Sequence, residues 1–176
     1  MTAYDELFEK ALQFTLKWEG GYVDDPADPG GETNYGITER VARQHGYKGS
    51  MRALPIEVAE DIYRMDYWDA VKLDEVAETR PLFAVAIFDA AVNLGPLQAR
   101  KLAQKAAGTM ADGIWGPLTR KAFRDRNDTV LVEMMCFYRR QYYKDLAGRK
   151  PAMQKFLKGW LRRVDDLQQY LRTVEA

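Results

Sequence analysis

Glu19 is the residue of this sequence whose type and position best suit acid catalysis. It ends an amphipathic segment and stands directly between Trp18 and the pair Gly20-Gly21. Paired glycines end a helix well, because the residue beyond a helix C-terminus usually takes a left-handed backbone conformation. Glu19 would then lie at the negative end of the helix dipole beside aromatic rings, and both influences favour its protonated form. A carboxyl group that keeps its proton is what a general acid requires.

The acidic, glycine-rich segment after Glu19 offers a second carboxylate. Asp24, Asp25 and Asp28 follow one another closely, and Asp28 precedes Pro29-Gly30-Gly31. Two roles stay open for Asp28: a catalytic carboxylate near Glu19, or a turn residue that bonds to its own backbone. Asp24 and Asp25 compete with it for the catalytic role. The spacing of the three aspartates does not match the calcium loop of a helix-loop-helix site.

The elements that must position these groups are almost all helices, because apolar residues recur three and four positions apart along most of the chain. Only about residues 22–37 leave room for strands, in the form of a small hairpin. The sequence therefore predicts a mainly α fold. The predicted helices span about residues 3–19, 38–46, 56–70, 81–94, 96–107, a short stretch from Pro117, 128–146 with Asp128 as its N-cap, and 151–174.

The helix that Pro81 opens is apolar on nearly every side. A helix without a polar face is normally buried, so we expect the segment Phe83–Asn93 to lie at the centre of one compact body. Its polar residues Asp89 and Asn93 are one helical turn apart. We expect Asp89 to hold a neighbouring loop by hydrogen bonds, and Asn93 to contact a ligand.

Composition and charge narrow the classes of function. The 176 residues carry no net charge, so no bulk attraction to nucleic acid or to a membrane is implied. Residues 1–39 are nevertheless acidic and residues 139–176 are basic, which suits either a polyanionic polymer or simply a solvated helical surface. The N-terminus lacks a basic stretch followed by an apolar run, and nothing reaches the length of a membrane span. We therefore expect a protein made in the cytoplasm without a readable signal peptide.

Single residues exclude several kinds of site. Cys136 is the only cysteine, so no intramolecular disulfide forms, and its apolar neighbours indicate a buried thiol. His45 is the only histidine, which rules out a metal site with two histidine ligands and leaves a poor candidate for a catalytic triad. We expect neither a metal nor a cofactor.

Several motifs of this sequence resemble those of known proteins. The run from Glu19-Gly20-Gly21-Tyr22 to Asp28-Pro29-Gly30-Gly31-Glu32-Thr33-Asn34-Tyr35-Gly36-Ile37 resembles the signature of glycoside hydrolase family 108, the N-acetylmuramidases of phage endolysins. The stretches Glu57-Val58-Ala59, Tyr67-Trp68 and Phe88–Pro96 fit the same architecture. The run Asp112–Thr119 is similar to a motif of wall-binding helical modules, and we expect Asp112 and Thr119 to form its turn and its helix cap.

The resemblance implies a fold and an activity. It implies a lysozyme-like fold and cleavage of the β-1,4 bond between N-acetylmuramic acid and N-acetylglucosamine, with Glu19 as general acid. The chain would divide into a catalytic region, residues 1–96, and a peptidoglycan-binding-type region, residues 97–176, packed together as one body. Peptidoglycan is the expected partner of a protein expected to be a monomer. Such an enzyme would reach the wall through a phage pore or a dedicated export route.

The resemblance also assigns site residues. The order Glu19, Asp28, Thr33 is similar to the acid, carboxylate and water-holding hydroxyl of phage-type lysozymes. Aligning the sequence on Gly36-Ile37 instead puts Asn34 at the position of the threonine. The residues expected to bind substrate are Tyr22, Asn34, Tyr35 and Asn93.

Two other classes of function remain open at the level of sequence. A lytic transglycosylase would use the same Glu19 without a second carboxylate and would release an anhydro sugar. A non-enzymatic wall-binding or secretion-assisting protein would need only the second-half motif. The acid at a helix end, followed by the full glycine-rich segment, favours an enzyme.

Overall fold

The computed structural model describes residues 3–24 and 31–174, and most of these residues are helical. The predicted mainly α fold with one small hairpin is confirmed. The chain forms two compact units, Met1–Ala70 and Val71–Ala176. Within the described part of the chain, every helix is too short or too polar to cross a membrane. The predicted division into a catalytic and a wall-binding region stays a prediction about function.

The first unit contains three α-helices, a hairpin and two irregular helices. Their bounds are α1 Ala3–Glu19, β1 Thr33–Asn34, β2 Ile37–Thr38, α2 Glu39–Gln44, a 3₁₀-helix Met51–Ala53, α3 Ile56–Tyr63 and a π-helix Arg64–Asp69. The face of α1 with helical spacing is buried, as predicted, and Phe8 meets the fully buried Trp68 edge to face, with ring centroids 5.5 Å apart. This ring contact joins α1 to the π-helix.

The second unit is built around α5. Its helices are α4 Leu73–Ala77, α5 Pro81–Leu94, α6 Pro96–Ala106, α7 Pro117–Asp125, α8 Asp128–Arg149 and α9 Gln154–Leu171, with a 3₁₀-helix Pro151–Met153 before α9. Every residue of α5 from Phe83 to Ala91 is buried, and α5 packs on α4, α6 and α8. The apolar character of α5 on all sides therefore matches a central place in this unit.

A buried ion cluster joins α5 to α8 and α9. The Asp89 carboxylate accepts hydrogen bonds from Arg139 at 2.6 Å and from Arg163 at 2.8 Å, and all three side chains are buried. Burial alone would raise the pKa of Asp89, but the two guanidinium groups outweigh it and hold that pKa below its usual range. Asp89 therefore has a hydrogen-bonding role, as expected, but its partners are side chains of two helices and not a neighbouring loop.

Two predicted helix caps are wrong. The N-cap of α8 is Asn127, whose side chain accepts from the Val130 amide, whereas Asp128 accepts from the Leu82 and Phe83 amides at 2.9 Å each. Asp128 thus stabilises the first turn of α5, a contact between distant parts of the chain that local sequence cannot show.

The second wrong cap is Thr119. The N-cap position of α7 is Gly116, and the buried Thr119 hydroxyl instead lies 3.3 Å from the side-chain amide of Gln104. Asp112 does build the Asp-Gly turn, because its carboxylate accepts from the Ile114 amide at 2.8 Å.

We expect Asp89→Asn to destabilise the protein by about 3–5 kcal/mol, because it leaves two buried guanidinium groups opposite a neutral amide. The free energy of unfolding, measured in urea at pH 7, tests this. The matched control is Asp165→Asn, which removes an exposed carboxylate 2.7 Å from Arg140 and should cost less than about 1 kcal/mol.

The pH dependence gives a second check on the same variant. The folded pKa of Asp89 is lower than that of an unfolded aspartate, about 3.9. Its contribution is therefore complete above the unfolded pKa and is lost as the pH falls through the folded pKa. The difference between parent and Asp89→Asn should shrink on acidification; a difference that grows at low pH would contradict the assignment.

Candidate active site at the end of the first helix

Glu19 is the last residue of α1, as predicted, and its side chain is half-buried. The helix stops because Gly20 takes a left-handed conformation, with φ 79°. The dipole of α1 therefore directs its negative end at the residue proposed as an acid.

The tip of the hairpin packs directly against Glu19. Strands β1 and β2 pair with Asn34 opposite Ile37, so Tyr35 and Gly36 form the turn. Both have positive φ, 50° and 75°, as a two-residue hairpin turn of the primed type requires. A Cβ on Gly36 would lie 2.7 Å from Glu19 Cβ and 2.5 Å from the Tyr63 hydroxyl. Only glycine lets the turn approach the end of α1 this closely.

Tyr63 holds the strained residue of this turn. Tyr35 is one of two non-glycine residues with positive φ in the described chain, and its carbonyl accepts a hydrogen bond of 2.8 Å from the Tyr63 hydroxyl. Tyr63 itself is buried at the end of α3. Backbone strain of this kind persists only where surrounding structure fixes it, and it is concentrated at functional sites. Thus α1, the hairpin and α3 meet at one point.

The π-helix brings Tyr67 to the same point. Burial, then the charge of Asp66 and then that of Glu19 raise the pKa of Tyr67, so its ring lies within electrostatic reach of Glu19. The Tyr67 ring also lies 5.6 Å from that of Tyr63. With its pKa raised, the Tyr67 phenol stays protonated at neutral pH and can donate a hydrogen bond.

Polar contacts hold the π-helix in place. Arg64 donates to Asp69 at 2.9 Å and lies 3.5 Å from Asp5 of α1. On the opposite side, His45 Nε2 is 2.9 Å from the Asp66 carboxylate. A π-helix is rare and is frequently found at functional sites, since it changes the direction in which successive side chains point. The contact of His45 with Asp66 thus helps to hold the π-helix in position.

Tyr22 lies under a guanidinium group. The Arg52 guanidinium is 4.3 Å from the centre of its half-buried ring. Partial burial, then a hydrogen bond with Glu32, raise the pKa of Tyr22, although the charge of Arg52 opposes this. The ring therefore has a cation on one face and a neutral hydroxyl group at its edge.

The two β1 residues singled out by sequence have defined contacts. Thr33 exchanges both backbone hydrogen bonds with Val23, each 2.8 Å long. Asn34 is buried, and its amide group donates to the Met51 carbonyl at 2.9 Å, which joins the hairpin to the 3₁₀-helix.

The other predicted site residues lie elsewhere. Asp28, like Asp25, is outside the described residues. Asn93 belongs to the second unit, where its side-chain oxygen accepts a hydrogen bond from the Tyr143 hydroxyl. The described acidic, histidine and cysteine side chains form no group arranged to hold a metal ion.

Two aromatic residues of this site were not predicted from sequence. Tyr63 and Tyr67 were not among the predicted site residues. Their spacing of four residues, in a segment already predicted to be helical, was a usable indication that they share a face. The change from α-helix to π-helix at Arg64 had no such indication.

The fold and the site define a class of protein. A mainly helical chain with one hairpin, and a carboxyl group held at a helix end close to tyrosine side chains, is suited to a glycosidase. A family model agrees: glycosyl hydrolase 108 matches residues 12–95. A second model, a predicted peptidoglycan domain, matches residues 97–165.

A solved structure extends the likeness over the whole chain. The structure of Brucella abortus SagA is 34% identical in sequence, with a TM-score of 0.76, over 96% of this chain and 95% of that one. No curated protein matches the sequence. The chain belongs to the glycosyl hydrolase 108 family. It is a glycoside hydrolase of the muramidase type that acts on peptidoglycan, and the wall polymer is its substrate.

We expect Gly36→Ala to reduce wall hydrolysis by about 10- to 100-fold, because the new Cβ must displace the Glu19 side chain or the Tyr63 hydroxyl. Turbidity loss of a purified wall suspension measures the activity, and circular dichroism measures the fold.

The matched control is Gly46→Ala. Gly46 also has a positive φ, 84°, but a Cβ there would meet nothing within 4 Å. It should carry the same backbone strain, about 1 kcal/mol, without loss of activity. Equal activities for the two variants would show that the contact between Gly36 and Glu19 has no catalytic importance.

Proposed function

We propose that Glu19 is the general acid that protonates the leaving oxygen of the glycosidic bond. The observation that carries this proposal is the packing of its side chain against the left-handed turn at Gly36. An acid must be held within hydrogen-bond reach of the oxygen that it protonates, and a rigid turn restricts the positions of Glu19. The bond proposed for cleavage is the β-1,4 bond between N-acetylmuramic acid and N-acetylglucosamine.

The tyrosines around Glu19 have supporting roles in this proposal. Tyr67 is neutral and lies near Glu19, so its hydroxyl can orient the carboxyl group or the substrate by donating a hydrogen bond. Tyr63 acts indirectly, because its hydroxyl is used in holding the Tyr35 carbonyl.

The second catalytic carboxylate is proposed to be Asp28. The order Glu19, Asp28, Thr33 supports it, as does the bridge between Val23 and Thr33, which brings together the two ends of the segment that contains Asp28. Thr33 is in β1, two residues before the turn Tyr35-Gly36 that lies against Glu19, so it is suited to hold the attacking water. An inverting reaction, with carboxyl groups about 6.5–9.5 Å apart, would leave room for that water.

Roles in substrate binding are proposed for four residues. Tyr35 is in the hairpin turn that packs against Glu19, and Tyr22 follows Glu19 by three residues. Both rings are half-buried, and sugars pack well on aromatic faces. Asn34 would act through the position of the hairpin that it fixes, and Asn93 through its side-chain amide nitrogen. The protein is proposed to work as a monomer that reaches the wall through a phage pore or an export route.

We expect Glu19→Gln to lower wall hydrolysis by about 10²–10⁴-fold and to leave the fold intact, because glutamine has a similar shape but no proton to give. The measurement is release of reducing ends from purified peptidoglycan. Glu9→Gln, an exposed carboxylate on the same helix, is the matched control and should be fully active.

The products of the parent enzyme complete this experiment. Hydrolysis adds a water, so mass spectrometry should find reducing N-acetylmuramic acid ends. Products lighter by one water would instead mean that the enzyme is a transglycosylase. Activity of folded Glu19→Gln within tenfold of the parent would remove Glu19 from the acid role.

We expect Asp28→Asn to reduce turnover by about 10²-fold or more, since an amide can neither stabilise the cationic transition state nor activate a water. The same release of reducing ends measures it. The controls are Asp24→Asn and Asp25→Asn, which change charge by the same amount in the same segment and should retain most of the activity. Full activity of Asp28→Asn would leave Glu19 as the sole essential carboxylate.

A further inference from the structure

A cavity of about 560 Å³ lies in the second unit, where the loop after α6 meets the first turn of α7. We name it the α6–α7 pocket. The residues that matter for its chemistry are Gln104, Met110, Asp112, Ile114, Leu118 and Thr119. Its volume is within the range of pockets that hold small ligands.

Three large apolar side chains surround the α6–α7 pocket and are left in water. Met110 is 79% exposed, Ile114 72% and Leu118 80%. Single exposed apolar residues are normal on a protein surface, but a group around one concave site indicates that something binds there.

Hydrogen bonds of the Gln104 side chain hold part of the pocket lining in place. The buried Gln104 side chain donates to the Asp112 carboxylate at 2.8 Å and to the Ile114 carbonyl at 3.0 Å, and it accepts from the Gly113 amide at 2.7 Å. These bonds fix the turn that carries two of the pocket residues. A pocket formed in advance loses little conformational entropy when a ligand enters it.

One charge distinguishes the pocket. Asp112 is the only ionisable side chain among the residues that line it, and Lys101, which does not line it, is close enough to lower the pKa of Asp112. Its hydrogen bonds from Gln104 and then from the Ile114 amide lower the pKa of Asp112, so its carboxylate is ionised at neutral pH. The pocket therefore suits a ligand that carries a cationic amine next to apolar carbon atoms.

The parts of peptidoglycan differ in how well they meet this requirement. The α6–α7 pocket lies inside residues 97–165, which the peptidoglycan domain model matches. The glycan strand offers neutral, hydroxyl-rich sugars. The peptide stem offers alanine methyl groups, methylene groups and, until it is cross-linked, a free amine on its diamino acid.

We propose that the α6–α7 pocket binds the peptide stem of peptidoglycan at its diamino acid. The ammonium group pairs with Asp112, and the methylene and methyl groups lie against Met110, Ile114 and Leu118. The inference rests on peptidoglycan as substrate, but it is independent of the role of Glu19. Cross-linking consumes the amine, so the pocket holds the enzyme on stems that are not cross-linked.

Binding of a free stem peptide without sugar tests the inference. We expect isothermal titration of the full chain to show binding of a stem with an unsubstituted diamino-acid amine. Acetylation of that amine should weaken binding about tenfold, as expected for loss of a hydrogen bond to a charged group. Because the probe has no glycosidic bond, the result does not depend on any catalytic residue.

Two variants locate the binding in the pocket. Asp112→Asn keeps an oxygen for the Gln104 and Ile114 bonds and should weaken binding of the free-amine stem about tenfold, with no effect on the acetylated one. Leu118→Ser should weaken the binding of both stems severalfold. The controls are Asp125→Asn, an exposed carboxylate at the end of α7, and Val130→Ser, an exposed apolar residue of α8, and neither should change binding.

Three outcomes would overturn the proposal. The first is no binding of the free-amine stem by the parent protein. The second is an equal loss of stem binding in the pocket variants and in their controls. The third is binding of an apolar peptide without an amine as tightly as the stem, which would make the pocket a docking site for a protein segment. Failure of Glu19→Gln to lose activity would leave all of these measurements unchanged.

Discussion

The close contact between Gly36 and Glu19 is the constraint on which the first unit depends. It requires a residue without a side chain at the tip of the hairpin, a left-handed turn there, and a helix that ends at Glu19. A different residue meets each requirement. Gly36 has no side chain, Tyr35 takes the left-handed turn while Tyr63 holds its carbonyl, and Gly20 ends the helix. Loss of any one would separate the hairpin from the helix end. The position of the Glu19 side chain is therefore a property of three segments together.

The second unit is held by a different kind of interaction. Its central helix buries a carboxylate between two guanidinium groups from α8 and α9, and Asp128 caps the first turn of the same helix. Buried ion pairs add little net stability compared with apolar packing, but they allow few alternative arrangements of the helices. The polar contacts thus define how α5, α8 and α9 are aligned, while apolar area supplies most of the favourable free energy.

Features set by neighbouring residues could be predicted from sequence. The end of α1 at Glu19, the hairpin after it and the burial of α5 follow from glycine pairs and apolar spacing. Features that join distant segments could not be predicted. The partners of Asp89 lie 50 and 74 residues further along the chain, and the cap of α5 comes from Asp128. For the site, the place of Glu19 at a helix end was predicted from sequence, whereas Tyr63 and the π-helix depend on how α3 meets the hairpin.

The π-helix has a consequence for chain length. Tyr63 and Trp68 are five residues apart, and both are buried. In an α-helix, side chains at that separation would point about 140° apart, at roughly 100° per residue, so one of them would face solvent. The wider turn of the segment Arg64–Asp69 lets both enter the core. The number of residues in this segment is therefore as constrained as their identity, and related chains should vary here by substitution and not by insertion or deletion.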